Sequence, residues 1–104
     1  AFLIEAHLEG ANLSGYNLEG AELRGADLSG FNIKQANLKG AHLEGARFWG
    51  AYLRGADLKD AHLEGADLSG ATGLTREQLN SAIIDEKTEL PRKWNAPKNE
   101  YDEV

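Results

Sequence analysis

Large apolar residues recur at every fifth position from the start of the chain to Gly70. Counted from Ala1, fourteen consecutive pentads carry Leu, Ile33 or Phe48 in third place. First place is Ala in twelve pentads, with Tyr16 and Phe31 as exceptions. Fifth place is Gly in eleven, with Glu5, Gln35 and Asp60 as exceptions. Second and fourth places are mostly polar. An α-helix has no use for this spacing: five residues advance the next leucine by about 140°, so the leucines would spiral around the axis instead of forming a stripe. A continuous strand fails as well, because an odd period sends successive leucines to opposite faces.

A strand broken once per pentad satisfies the pattern. First and third places lie two apart and share one face, while second and fourth point away. A turn over places three, four, five and the next one redirects the chain. If it is a type II turn, its third residue is place five and requires positive φ, which Gly adopts without steric cost. If each turn bends the chain by about a right angle, four pentads close a coil of twenty residues, and coils stack at about 4.8 Å. The core then holds the third-place leucines with the first-place alanines. Tyr16 and Phe31 are large for the first-place slot. They predict local widening or a ring swung toward a corner.

The pentads Ala-Asn-Leu-Ser-Gly (11–15), Ala-Asp-Leu-Ser-Gly (26–30 and 66–70) and Ala-Asn-Leu-Lys-Gly (36–40) resemble the A-[DN]-L-x-x signature of the pentapeptide-repeat family. The resemblance covers about two-thirds of the chain. It implies an all-β solenoid, a right-handed quadrilateral β-helix, here of about 3.5–4 coils with a short C-terminal capping helix. It points to bacteria, with cyanobacteria rich in such proteins.

The pentads end at Ala71-Thr72-Gly73. Thr75 followed by Gln78 is a capping box, so a helix is expected to start near Thr75. Leu74, Leu79 and Ala82 are placed to cover the last coil, and Ile83-Ile84 to add a final strand. The expected organisation is a repeat solenoid over 1–72, a capping helix and extension over 73–91, and a polar, flexible tail over 92–104. In that tail Trp94 and Tyr101 are candidates to fold back or to meet a partner.

Composition narrows the function. The chain of 104 residues carries 17 acidic and 11 basic side chains, a formal charge of −6. That balance argues against direct nucleic-acid binding, which wants a clustered basic face. No apolar run approaches the ~20 residues that span a bilayer. With no cysteine, there is neither a disulfide framework nor thiol chemistry. The cytoplasm is the favoured location; a periplasmic or thylakoid-lumen protein with its targeting segment removed is the alternative.

Twenty-residue stacking turns the sequence into surface columns. Asp27, Arg47 and Asp67 form one, Arg24 over Glu44 another, and Asn12 with Asn32, and Asn17 with Asn37 and Asp57, form two more. Glu22, His42 and His62 share a column. Two imidazoles one strand spacing apart, with a carboxylate, are weak candidates for a metal site; the ordinary reading is solvated polar surface. No cofactor is expected. Trp49 and Tyr52 point outward around one corner, beside Arg47 and Arg54. Aromatic and arginine side chains are enriched in protein interfaces, so these four are the candidate partner-binding residues. Phe2 and Ile4 are apolar at outward positions, which suggests an end-to-end homodimer through the N-terminal coil.

The leading functional expectation is a non-catalytic protein-interaction or scaffold module, its partner unidentified. No pair of carboxylates and no activated serine is placed in a cleft, so no enzyme is expected. The alternative is a DNA-mimicking regulator of DNA gyrase or another topoisomerase, a role that the family resemblance brings. Magnitude weighs against it: four coils rise ~19 Å, over which duplex DNA carries about eleven negative charges. The pentads carry ten acidic and six basic side chains.

Overall fold

The computed structural model describes residues 12–91, together with the backbone of residues 94–95 and 100–101. Within it the pentads stack as a solenoid. Second-place residues pair in parallel with those twenty positions on: Asn17 with Asn37 with Asp57, and Glu22 with His42 with His62. Each coil therefore consumes four pentads. The third-place N–H donates to the second-place carbonyl above, as from Leu43 to His62 at 2.8 Å. The second-place N–H donates to the first-place carbonyl below, as from His42 to Ala21 at 2.9 Å.

Corners follow the turn read from the spacing. The first-place N–H closes on the third-place carbonyl before it, Ala26 to Leu23 and Ala46 to Leu43, both at 3.0 Å. Nine fifth-place glycines, from Gly15 to Gly65, have φ between +62° and +74°, and Gly70, where the pentads end, leaves the positive-φ region. Gln35 and Asp60 adopt φ of 60° in the same slot, so the turn imposes its backbone even on side chains that resist it.

The interior is a column of third-place leucines with alanines between them. Leu38, Leu43, Leu53 and Leu63 have no exposed surface. The two oversized residues part ways. Phe31 is fully buried, with Ala51 following it in the next coil, whereas Tyr16 remains 56% exposed. The outward ring thus applies to Tyr16, while the Phe31 ring is taken into the interior.

Helix α1 spans Arg76–Ser81 with Thr75 as N-cap and a complete capping box to Gln78. Leu74 and Leu79 are buried in the core cluster, and Ala82 packs against it. Ile83 and Glu89 then extend the ladder, pairing with His62 and Asp67 at spacings of 21 and 22 residues. In the stretch 92–104, Trp94–Asn95 pairs antiparallel with Glu100–Tyr101. Phe2 and Ile4 lie outside the described residues.

Candidate partner-binding surface

Second-place Asn and Asp share a local job that lies beside their columns. The carboxylate or amide oxygen at second place accepts from the fourth-place N–H two residues on: Asn12 from Ser14, Asn32 from Lys34 and Asp57 from Lys59, at 3.0–3.2 Å. This Asx turn satisfies a donor that the corner would otherwise leave unpaired. The amide column is also real, with Asn37 Nδ2 donating to Asn17 Oδ1 at 3.3 Å. The short polar side chain and its two-residue reach were the available signal for the turn.

The candidate residues Arg47, Trp49, Tyr52 and Arg54 fall on two successive stacks of pentads, divided by the turn in which Ala51 N–H meets the Phe48 carbonyl at 3.1 Å. Arg47 pairs in the ladder between Asp27 and Asp67. Trp49 is 50% exposed, and its indole N–H donates to Asp67 Oδ2 at 2.9 Å. Asp67 also accepts from the Ser69 backbone N–H and hydroxyl. Burial alone would raise the Asp67 pKa, but the Ser69 and Trp49 donors hold it below the ordinary carboxylate range. Gly70 permits this arrangement. A Cβ there would come within 3.2 Å of Trp49 Cα, and Gly50 N–H reaches the Gly70 carbonyl in place of that of Ser69.

Across the turn, Tyr52 is 47% exposed and sits in the ladder between Asn32 and Thr72. Lys34 Nζ lies 5.5 Å from the centroid of its ring, a cation–π distance. Arg54 is exposed, and its carbonyl accepts from Gln35 N–H at 2.9 Å. The patch is therefore two rigidly seated rings, one tied to a carboxylate and one beneath a cation.

The histidine column is built differently. The rings of His42 and His62 stack with centroids 4.9 Å apart and 6° between planes. Glu22 Oε1 is 3.7 Å from His42 Nε2, Glu44 Oε2 is 3.6 Å from His42 Nδ1, and Glu64 Oε2 is 3.4 Å from His62 Nδ1. Arg24 bridges Glu22 and Glu44 at 2.9 and 3.3 Å. Burial raises the Glu44 pKa, and its own backbone N–H, Arg24 and His42 together bring it below the usual value. Among the described residues no group of three His, Asp or Glu side chains converges on one point in a way that could hold a metal ion. A shallow depression of about 250 Å³ lies elsewhere, lined by Glu19, Lys39, Gly40, Lys59 and Asp60.

The family model for pentapeptide repeats matches residues 1–40 and 36–72 with eight copies. The chain belongs to the pentapeptide-repeat family. Solved structures of pentapeptide-repeat proteins resemble it. Rfr23 from the cyanobacterium Cyanothece 51142 is 33% identical with a TM-score of 0.67, over 78% of this chain and 54% of that one. A pentapeptide-repeat protein from Nostoc Pcc 7120 is 35% identical with a TM-score of 0.54, over 94% and 80% of the two chains. One from the thylakoid lumen of Arabidopsis thaliana is 27% identical with a TM-score of 0.52, over 78% and 59%. This chain thus spans about half the length of Rfr23. No curated protein matches it.

Proposed function

We propose that this pentapeptide-repeat chain is a non-catalytic protein-interaction module whose partner surface is formed by Arg47, Trp49, Tyr52 and Arg54. The scaffold in this reading is a right-handed quadrilateral β-helix of three and a half to four coils over residues 1–72, with 73–91 as its cap. A buried apolar column takes up the third-place side chains of the pentads, and the outward places become flat, mostly polar faces. The observation that carries the reading is the exposure of Trp49 and Tyr52, each about half open to solvent, on a backbone laddered on both sides. Rings held in this way lose little freedom on binding, which is what favours aromatic residues at interface centres.

Recovery of partners from a lysate by the wild-type chain and by Trp49→Ala/Arg54→Ala tests it. The variant is expected to lose a partner that the wild type retains. Equal recovery of every partner sinks the assignment of the surface. The uneven distribution of acid around the solenoid weighs against a surface that imitates duplex DNA.

A further inference from the structure

Twenty-residue stacking sorts the pentads into four stacks, and their charges are unequal. Among the described residues, all eight acidic side chains of the pentads fall on three of them. The fourth contains residues 31–35, 51–55 and 71–75, above 12–15, and has no carboxylate at all. Its ladder runs Asn12, Asn32, Tyr52, Thr72. Its charges are Lys34 and Arg54. Backbone bonds from Gly15 to the Lys34 carbonyl and from Gln35 to the Arg54 carbonyl, both 2.9 Å, set the two cations one coil apart, at about 4.8 Å along the stack.

The cations of the other stacks share them with carboxylates: Arg47 sits in the ladder between Asp27 and Asp67, and Lys59 lies on the stack of Asp57 and Asp60. Arg24 is bonded to Glu22 and Glu44, and Lys39 lies 3.6 Å from Asp57. Among the described residues neither Lys34 nor Arg54 forms an ion pair. Like charges on neighbouring strands repel, and this pair has no carboxylate between. Tyr52 adds a half-exposed ring against Lys34. On a chain of net charge −6, this strip is where an anion meets attraction and no opposing carboxylate.

We propose that the carboxylate-free stack carrying Lys34, Tyr52 and Arg54 docks an extended, carboxylate-rich segment of a partner protein. The inference rests on the interaction-module reading above and specifies the chemistry of its partner. An extended segment places side chains of one side about 7 Å apart, within reach of two long, flexible cations, while its backbone lies across the tyrosine ring. Charge complementarity selects the segment, and the ring supplies the apolar contact. Exposed pairs of this kind are screened within about 8–10 Å at physiological ionic strength, so binding weakens as salt is raised.

The test is fluorescence anisotropy on the full chain. The probe is a fluorescein-labelled peptide of alternating Asp and Ser, with an Asn-Ser peptide and a single-stranded DNA oligonucleotide as comparisons. The Asp-Ser peptide is expected to bind and the Asn-Ser peptide not to bind. Lys34→Glu/Arg54→Glu is expected to weaken binding about tenfold or more, whereas Lys39→Glu/Lys59→Glu, on the neighbouring stack, leaves it within a factor of about two. All four positions are exposed, and matched circular dichroism melts verify folding. Absence of peptide binding, equal loss in both double variants, or equally tight binding of the DNA at this stack overturns the proposal. A partner recovered through Trp49 and Arg54 but indifferent to Lys34→Glu would overturn the acidic-segment inference and leave the interaction module standing.

Discussion

The backbone N–H of Gly65 donates to the carboxylate of Asp85 at 3.1 Å, where one coil earlier Gly45 donates to the backbone carbonyl of Glu64. A side chain has taken over the ladder at the point where the pentads stop. Asp85 also accepts from the backbone N–H groups of Lys87 and Thr88 and from the Thr88 hydroxyl. The single Thr88 hydroxyl proton is shared with the Leu63 carbonyl, which lies closer, at 2.9 Å. The end of the sheet is sealed by polar side chains, which covers an edge that would otherwise template association.

Acid sensitivity follows from this clasp. Burial raises the Asp85 pKa, but the donors from Gly65, Lys87 and Thr88 outweigh it and hold the value below normal. A folded-state pKa below the unfolded one means stability that is present above the unfolded value of about 3.9 and lost as pH falls through the lowered folded value. Asp85→Asn is expected to lower the thermal midpoint at pH 7 and to converge with wild type as pH falls through and below the ordinary carboxylate range, as measured by circular dichroism. A constant gap across that range contradicts the account.

The phase of the repeat has a sharp test in two adjacent residues. Leu38 is fully buried, so Leu38→Ala is expected to cost about 2–5 kcal/mol, and Leu38→Asp should prevent folding by placing a charge in the dry column. Lys39 is exposed, with a 3.6 Å pair to Asp57, and Lys39→Ala should stay within about 0.5 kcal/mol in urea denaturation. Comparable losses from Leu38→Asp and Lys39→Ala would mean that the inward position is misassigned.

Turn strain can be separated from crowding. A Cβ at Gly45 meets nothing within 4 Å, whereas at Gly73 it would lie 2.8 Å from the backbone nitrogen of Arg54; both residues have positive φ. Gly45→Ala is expected to cost about 1–2 kcal/mol from conformation alone, and Gly73→Ala clearly more. In the opposite direction, Gln35→Gly relieves a side chain held at φ of 60° and should stabilise by up to about 1 kcal/mol. Destabilisation by Gln35→Gly would show that its side chain contributes more than the strain costs.

The cap hangs on one amide. Gln78 completes the capping box with Thr75, and its Nε2 also donates to the carbonyls of Leu53 and Ala56 at 2.7 and 3.0 Å. Gln78→Ala removes the Gln78 side-chain bonds and leaves two carbonyls of the last coil without those donors. A loss of about 1–3 kcal/mol is expected, with amide exchange around Leu53 and Ala56 accelerated before that around Leu23. A silent substitution would argue that α1 is only a cover.

The stack was legible in the sequence because its signals are local and repeated: Leu38 and Leu43 inward, Gly45 at positive φ, and columns such as Glu22 with His42. The capping box at Thr75 and Gln78 was readable for the same reason, as was the burial of Leu74 and Leu79. The Asx turn from Asn12 to Ser14 hid behind the column it also belongs to. The seal beyond the helix was legible only in part: Ile83 joins the ladder as its apolar run with Ile84 suggests, but the register and the polar clasp do not follow from the spacing. Ile83 and Glu89 join the ladder at 21 and 22 residues instead of twenty, and the reach of Asp85 and Gln78 onto earlier coils depends on the path between. Trp49 and Tyr52 stand out in the sequence by type and place, but their ties to Asp67 and Lys34 arise only from the stacking of coils. The carboxylate-free stack is visible in the sequence only once the twenty-residue register is applied to every charge.

The central claim is that positions twenty apart are neighbours while positions five apart point in different directions. Because the chain has no cysteine, paired cysteines can test it directly under mild oxidation. Asn37→Cys/Asp57→Cys joins two bridged residues, whose Cα atoms at strand spacing of about 5 Å fall within disulfide reach; Asn37→Cys/His42→Cys joins residues close in sequence but on successive stacks. The account expects rapid crosslinking of the first pair and little of the second in the native chain, reversed in denaturant, where the shorter loop closes more readily. Preferential crosslinking of 37 with 42 under native conditions would contradict it.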